Sequence, residues 1–570
     1  MFQTLPKDPQ VFMQWGWHQI KPYFEDLAKR PLSPVTLSEW MRDWSDLSRI
    51  LSEMYARLWV ATTCNTTDPG IKDRYNTFLD RIFTPSLATN QLLKQKLLDS
   101  DLQPDNFDIP LKNMRVEAEI YCDENLPLLS EEKKLVNEYD EIIAAQTVEW
   151  KGKEVTTTQL QLVYMSPDRS EREKAWLLEM ERKLTDRQTL NQLWIRMLDL
   201  RNRIATNAGF KDYRAYKWKE LLRFDYTPED CSQFHKAIEQ VVVPAARCMY
   251  EKRQQQLGLP TLRPWDLYVD PLGREHLKPY QTISELEEKV SVIFHKVDPE
   301  LGKYFEIMRR QGLLDLENRK GKAPGAYCNN YDMVRLPFIF ENAVGLHTDV
   351  ATLLHEGGHA FHVFEEAQLP YQQQLQVGME FAEVASMAME LLASPYLETK
   401  EGGFYSEKDA ARARIEHLEE TLLFWPYMVV VDAFQHWAYT NQAASANPDN
   451  CDQKWSELWK RYMIGVDWSG LEDQMATGWQ RKLHIFEVPF YYIEYGLASL
   501  GALQVWSNAM KDQKGAVAAY RRALALGGTV PIPALFTSAG ARFAMDAGLL
   551  RNTVDLMEHK IYEFEQVQGG

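Results

Sequence analysis

The pentad His355-Glu356-Gly357-Gly358-His359 constrains the fold of this 570-residue chain more tightly than any other stretch. Two imidazoles four residues apart can reach one ion only if the segment is helical, because a helix brings i and i+4 onto one face. Glu356 then stands beside them, one position round. With 12 His in the chain, the pattern would arise by accident in about one of fifty chains of this composition, so its surroundings must decide between an ion site and an ordinary helix face. Gly357 and Gly358 each cost about 1 kcal/mol of helix propensity relative to Ala. The natural compensation is close approach of another backbone. Thr348 or Asp349 is the expected N-cap, and Val350, Leu353, Leu354 and Phe361 form the apolar face.

A catalytic zinc takes three protein ligands and keeps one position open. The third would come from the next apolar helix, where Glu380, Glu383 and Glu390 stand among Phe, Ala, Val and Met. A carboxylate in such company is costly to bury unless paired or bound to metal. Glu383 is the leading choice. On spacing alone Glu380 or Glu390 could also bind, or could orient a zinc histidine through its other nitrogen. His362 lies seven residues from His355, about 10.5 Å of helix rise, too far to share the ion, and is read as structural. Position 365, where a third histidine would complete another zinc pattern, is Glu365. Glu356 would not bind the ion. It suits a general base that takes a proton from an attacking water and returns it to a leaving amine. Cobalt or manganese would accept the same ligands.

An oxyanion formed in such a reaction needs further donors. The segment His484 to Gly496 offers an imidazole and the phenols of Tyr491, Tyr492 and Tyr495; Tyr491 and Tyr495 share a helix face, with Tyr492 one step round. Residues 335–342 are aromatic and branched, with Pro337, which predicts an edge strand free to pair with an extended peptide.

The rest of the chain reads as helix with little strand. Leu37, Trp40, Met41, Trp44, Leu47 and Leu51 recur at helical spacing, with Ser33 or Thr36 as N-cap and both Trp in the core. Further helical stretches are expected at 131–147, 160–207, 379–395, 411–440, 453–475 and 490–525, and a short hairpin about Lys151-Gly152. The net charge of −17 argues against nucleic acid or an anionic membrane as partner. The six cysteines form no C-x-x-C pair and are expected as reduced, mostly buried thiols. No secretory leader or spanning segment is read, so the cytoplasm is the expected location.

Together His355–His362, Phe381–Ser386, Gly325–Cys328, Arg263–Leu267 and the 484–496 segment resemble the M3 metallopeptidases, in the oligoendopeptidase F and Pz-peptidase branch. The resemblance runs from about residue 150 to the C-terminus, which suggests an N-terminal helical region, 1–150, and a catalytic region, 151–570. It implies a mainly α, two-lobed fold with a deep substrate channel and a small sheet near the site. It further implies one zinc per chain and endopeptidase action on short peptides. By motif, His355, His359 and Glu383 would be ligands, Glu356 the base, and His484, Tyr491 and Tyr495 the donors to the substrate carbonyl and oxyanion, with Tyr492 an alternative. Glu390 and Glu380 would support the ligands, and Phe338, Ile339, Phe340, Glu341 and Asn342 would pair with substrate. An exopeptidase of the same family, or a helical peptide-binding protein with a structural zinc, are the competing readings.

Overall fold

The computed structural model describes residues 2–569. Helices dominate. The principal ones are α1 (Leu37–Cys64), α2 (Leu126–Ala144), α3 (Pro228–Gln256), α4 (Ile283–Val297), α5 (His347–Glu366), α6 (Met379–Ala393), α7 (Glu407–Thr440) and α8 (Tyr492–Ala509). The predicted 160–207 stretch is three helices, broken near Asp168 and Asp186. The 453–475 stretch is shorter than expected: its helix ends at Tyr462. Among the described residues, no helix is long and apolar enough to cross a membrane.

Two large hydrophobic cores organise the described residues, with a third, small cluster around Trp176 and Trp265 beside the hairpin. The smaller of the two large cores is N-terminal, centred on Phe24, Trp40, Trp44 and Tyr75, and takes in Tyr371 from far along the chain. The larger holds everything around the motif helix. They do not divide at residue 150: α2 sends Leu135 and Tyr139 into the larger core, as the end of α1 sends Ala56 and Val60. Tyr139 stacks on Phe486 at 4.4 Å, so α2 is anchored to the C-terminal half.

There are two small sheets. Strands β1 (Thr147–Trp150) and β2 (Lys153–Thr156) form the hairpin, and Lys151 and Gly152 both take positive φ, as its two-residue turn requires. The second sheet has the order β3-β5-β4, with β3 at Leu314–Glu317, β4 at Tyr327–Tyr331 and β5 at Leu336–Ala343. This corrects the edge-strand expectation, because β5 is central, paired on one side with β3 and on the other with β4. Pro337 is tolerated because its register partner is Asn330 of β4, while β3 joins β5 only from Ile339 onward. The missing N–H therefore breaks no β3 bond.

Helix α5 packs on β5 and α6, and α6 in turn lies along α8. Neither predicted residue caps α5: Leu346 holds the N-cap position, and Asp349, in the first turn, reaches back to accept from the N–H groups of Val344, Gly345 and Leu346 at 2.7–2.9 Å. Of these, the Leu346 N–H belongs to the helix start, and Val344 and Gly345 belong to the turn that leads into it. The N-cap of α1 is Thr36, as expected, though its hydroxyl turns to Ser33 and makes no helix bond. All six cysteines are free thiols, and only Cys231 and Cys451 are buried, fewer than the sequence suggests.

Candidate metal centre

The cost of Gly357 and Gly358 has a visible return. A Cβ on Gly358 would stand 2.4 Å from the Ala385 carbonyl oxygen and 2.5 Å from Ser386 Cα, so only glycine lets α5 and α6 touch at this height. A Cβ on Gly357 would enter the Phe294 ring of α4 at 2.4 Å. One glycine therefore meets a backbone, as expected, and the other an aromatic ring. This contact brings Glu383 of α6 opposite the two histidines of α5.

His355 Nε2 lies 3.3 Å and His359 Nε2 3.4 Å from Glu383 Oε2. The three donor atoms stand within 4.8 Å of one another. A tetrahedral ion with bonds of about 2.0–2.1 Å spaces its donors roughly 3.3 Å apart, so two edges of the triangle already have the length an ion requires. The carboxylate is prepared from behind. Tyr491 donates a short hydrogen bond to Oε1, and Ser386 Oγ donates to Oε2 at 3.0 Å. Burial alone would raise the Glu383 carboxyl; the charges and hydrogen bonds of His359 and His355 hold it well below the usual range.

His355 is oriented through its other nitrogen. Its Nδ1 stands 2.7 Å from Glu390 Oε1, which leaves Nε2 for the ion. Glu390 Oε2 is in turn 3.4 Å from His417 Nδ1 on α7. His417 was not singled out by sequence, and nothing local could have done so, since its link to Glu390 exists only where α7 crosses α6. Glu380 does otherwise than expected: it accepts from Tyr226 at 2.6 Å and lies 3.7 Å from Arg223 Nε. It is committed to that buried Tyr–Arg pair, at the N-terminal end of α6, one turn short of the histidines.

Glu356 is buried, and its Oε2 has no hydrogen-bond partner. Burial pushes the carboxyl up against the opposing pull of His355 and His359. An orphaned, buried carboxylate oxygen next to the donor triangle is what a base awaiting a water would present. His362 stays away from the triangle, with its ring edge-on to Phe381 and its Nε2 without a hydrogen bond, 3.7 Å from Glu366 Oε2; burial pulls its imidazole down to about 3, so it is neutral.

The C-terminal segment folds over the triangle. Tyr495 OH lies 3.2 Å from His484 Nε2, and burial together with Glu383 and Glu356 pushes the phenol well above its ordinary value. Tyr491 is tied to Glu383. Tyr492 is buried among Phe424, Tyr427 and His484, apart from the carboxylates. His484 is held neutral by burial.

Of the strand residues, Ile339 and Phe340 are core, Phe340 stacking on Tyr327 at 4.7 Å, and Phe338 packs on Tyr331. Asn342 donates to the carbonyls of Ala323 and Gly325, both at 2.9 Å. Glu341 is buried with neither oxygen partnered. Glu341 and Asn342 border a cavity of about 470 Å³ that also touches Thr352 of α5 and reaches Glu416, Glu419 and Glu420 of α7.

The sequence profile of peptidase family M3 matches residues 162–554, a span that contains every donor of the centre. The chain belongs to peptidase family M3. It is 22% identical over 578 aligned residues to an oligoendopeptidase F homolog of Borreliella burgdorferi, covering 96% of this chain and 93% of that one. It superposes on a structure of Pz peptidase A with an inhibitor at a TM-score of 0.91, with 26% identity and 99% of each chain covered. An oligoendopeptidase F from Enterococcus faecium shares the fold at a TM-score of 0.61, with 15% identity and 97% and 98% of the two chains covered. As a member of this metallopeptidase family, the chain is a peptidase whose donor triangle fits a divalent metal.

Proposed function

We propose that this M3 peptidase is a zinc-dependent oligoendopeptidase that cuts internal bonds of short peptides. The observation that carries the reading is the His355–His359–Glu383 triangle with the orphaned Glu356 carboxylate beside it. Two imidazoles and one carboxylate are a donor set that suits zinc with one position left open. Zinc bound there supplies a water made acidic enough to attack at neutral pH, and polarises the scissile carbonyl.

The remaining steps belong to the chain. Glu356 accepts the water's proton at its free Oε2 and delivers it to the departing amine. The neutral His484 orients Tyr495, whose phenol donates to the oxyanion as it forms. Tyr491 holds Glu383 in place through their hydrogen bond, so its share is to position the ligand, and buried Tyr492 packs the segment. The substrate backbone pairs with β4, an outer strand of the sheet, instead of with the Phe338–Asn342 stretch of β5, whose two edges are taken. The cavity beyond Thr352 then receives one end of the peptide.

The test uses a peptide blocked at both ends with a fluorophore and quencher astride its middle. Cleavage by the zinc-loaded chain and its loss in Glu356→Gln, with metal content unchanged, supports the reading. An intact blocked peptide alongside cleavage of a free-ended one would sink the endopeptidase assignment, and full activity in Glu356→Gln would sink the base.

A further inference from the structure

Among the described residues, one other cluster gathers donors as tightly as the peptidase centre does. Cys231 on α3 and Asp432 and His436 on α7 bring a sulfur, a carboxylate oxygen and an imidazole nitrogen within 4.8 Å of one another. Cys231 and Asp432 are fully buried.

Two buried polar atoms of the cluster have no hydrogen-bond partner, and a neighbouring histidine braces its carboxylate. His436 Nε2 lies 3.3 Å from Asp432 Oδ2, the same edge length as at the peptidase centre, yet makes no hydrogen bond. The second carboxylate oxygen, Asp432 Oδ1, is buried and also without a partner. Finally His235, one turn after Cys231, places Nε2 2.7 Å from Asp432 Oδ2, where its N–H fixes the carboxylate as outer partners of metal ligands do.

We infer that Cys231, Asp432 and His436 form a second metal site, structural in role, for zinc or a similar borderline ion. A thiolate, an imidazole and a carboxylate select zinc or cobalt over magnesium or calcium, which take oxygen ligands alone. A thiolate and a carboxylate also balance a divalent charge, so the site buries no net charge. Binding releases the Cys231 thiol proton to solvent. The imidazole binds through Nε2 and keeps its proton on Nδ1, so the half-buried Arg214, whose Nη1 now lies 3.3 Å from Nδ1, turns outward. The way in is past His436, the least buried of the three donors.

Such an ion would clamp α3 to α7 beside the C-terminal segment. Gln435, next to His436, accepts from the Phe490 N–H at 2.7 Å, and the His436 ring packs on Phe490 at 5.3 Å. Phe490 immediately precedes Tyr491, so the clamp stiffens the base of the segment that covers the peptidase centre. The inference does not rest on the proposed catalysis.

The test begins with the His355→Ala/His359→Ala double variant, which removes the first centre. Incubated with zinc chloride, desalted and analysed by elemental mass spectrometry, it should retain about one zinc per chain, and none once Cys231→Ala is added. A double variant that retains no zinc overturns the site and leaves Asp432 as a carboxylate shared between two histidines. The unmutated chain gives an independent readout: loaded with cobalt, it should show a near-ultraviolet thiolate-to-cobalt charge-transfer band, absent in Cys231→Ser while the visible bands of the peptidase centre persist. A fully loaded chain without that band overturns the site as well.

Discussion

The His355–His359–Glu383 and Cys231–Asp432–His436 clusters share an imidazole-to-carboxylate edge near 3.3 Å and differ in everything around it. In the first, both histidines come from one helix, glycine thins that helix so that the carboxylate helix can approach, and a fourth group, Glu356, stands beside the triangle with an oxygen unused. The tyrosine segment folds over it and a 470 Å³ cavity borders the same helix. In the second, the carboxylate shares a helix with the single imidazole, the thiol comes from another helix, and both His235 and His436 face Asp432 Oδ2. A donor triangle can hold an ion; chemistry requires in addition a base and room for a substrate.

That contrast can be broken most sharply at Glu356. Replacing it by Gln should lower kcat/KM by about 10²–10⁴-fold, the usual worth of a general base, with metal content unchanged. An equally large fall in Cys231→Ser would erase the distinction between the two clusters. Tyr495→Phe comes next. Loss of one oxyanion donor costs about 10²–10³-fold in kcat, and the expected split is that Tyr491→Phe instead weakens metal retention, because its hydroxyl serves Glu383. Reversal of those two phenotypes in steady-state kinetics and chelator competition would exchange their roles.

Smaller effects test the supports. Glu390→Gln should loosen the metal by about 10–100-fold, as removal of a carboxylate behind a ligating histidine does, readable by titration with a zinc-chelating dye. Gly358→Ala forces a Cβ into the Ala385 carbonyl. Overpacking of this kind costs about 1–3 kcal/mol, measured by urea unfolding, with metal affinity falling as α5 and α6 part. If the variant is as stable as the parent, the close approach of the helices is not what the glycine provides.

Legibility from sequence followed the range of each interaction. The i,i+4 pair, Glu356 beside it and the hairpin turn at Lys151-Gly152 are local patterns, and the structure places them as spacing implies. The strand 335–342 was recognised, but its rank in the sheet was not, because a proline reports only a missing N–H and not which neighbour would have used it. Spacing alone leaves Glu380, Glu383 and Glu390 open on one helix face, and only the family resemblance points to Glu383. Only the crossing of α5, α6 and α7 turns Glu383 to both histidines, Glu390 to His355 and His417, and Glu380 to Tyr226. The same holds for the tyrosines, where one hydrogen bond to Glu383 separates Tyr491 from Tyr495.

What the sequence determined by itself is therefore the first half of the centre: a helix with two imidazoles on one face, two glycines that make sense only against a close neighbour, and an acidic, apolar helix to be that neighbour. The tertiary structure decided which of the carboxylates that spacing leaves open completes the triangle, which tyrosine is not tied to that carboxylate, and that Cys231 meets Asp432 and His436 at all. The physical reason is that helical spacing fixes side chains within a turn or two, about 5–6 Å, whereas donors on separate helices meet only through the packing of the whole core.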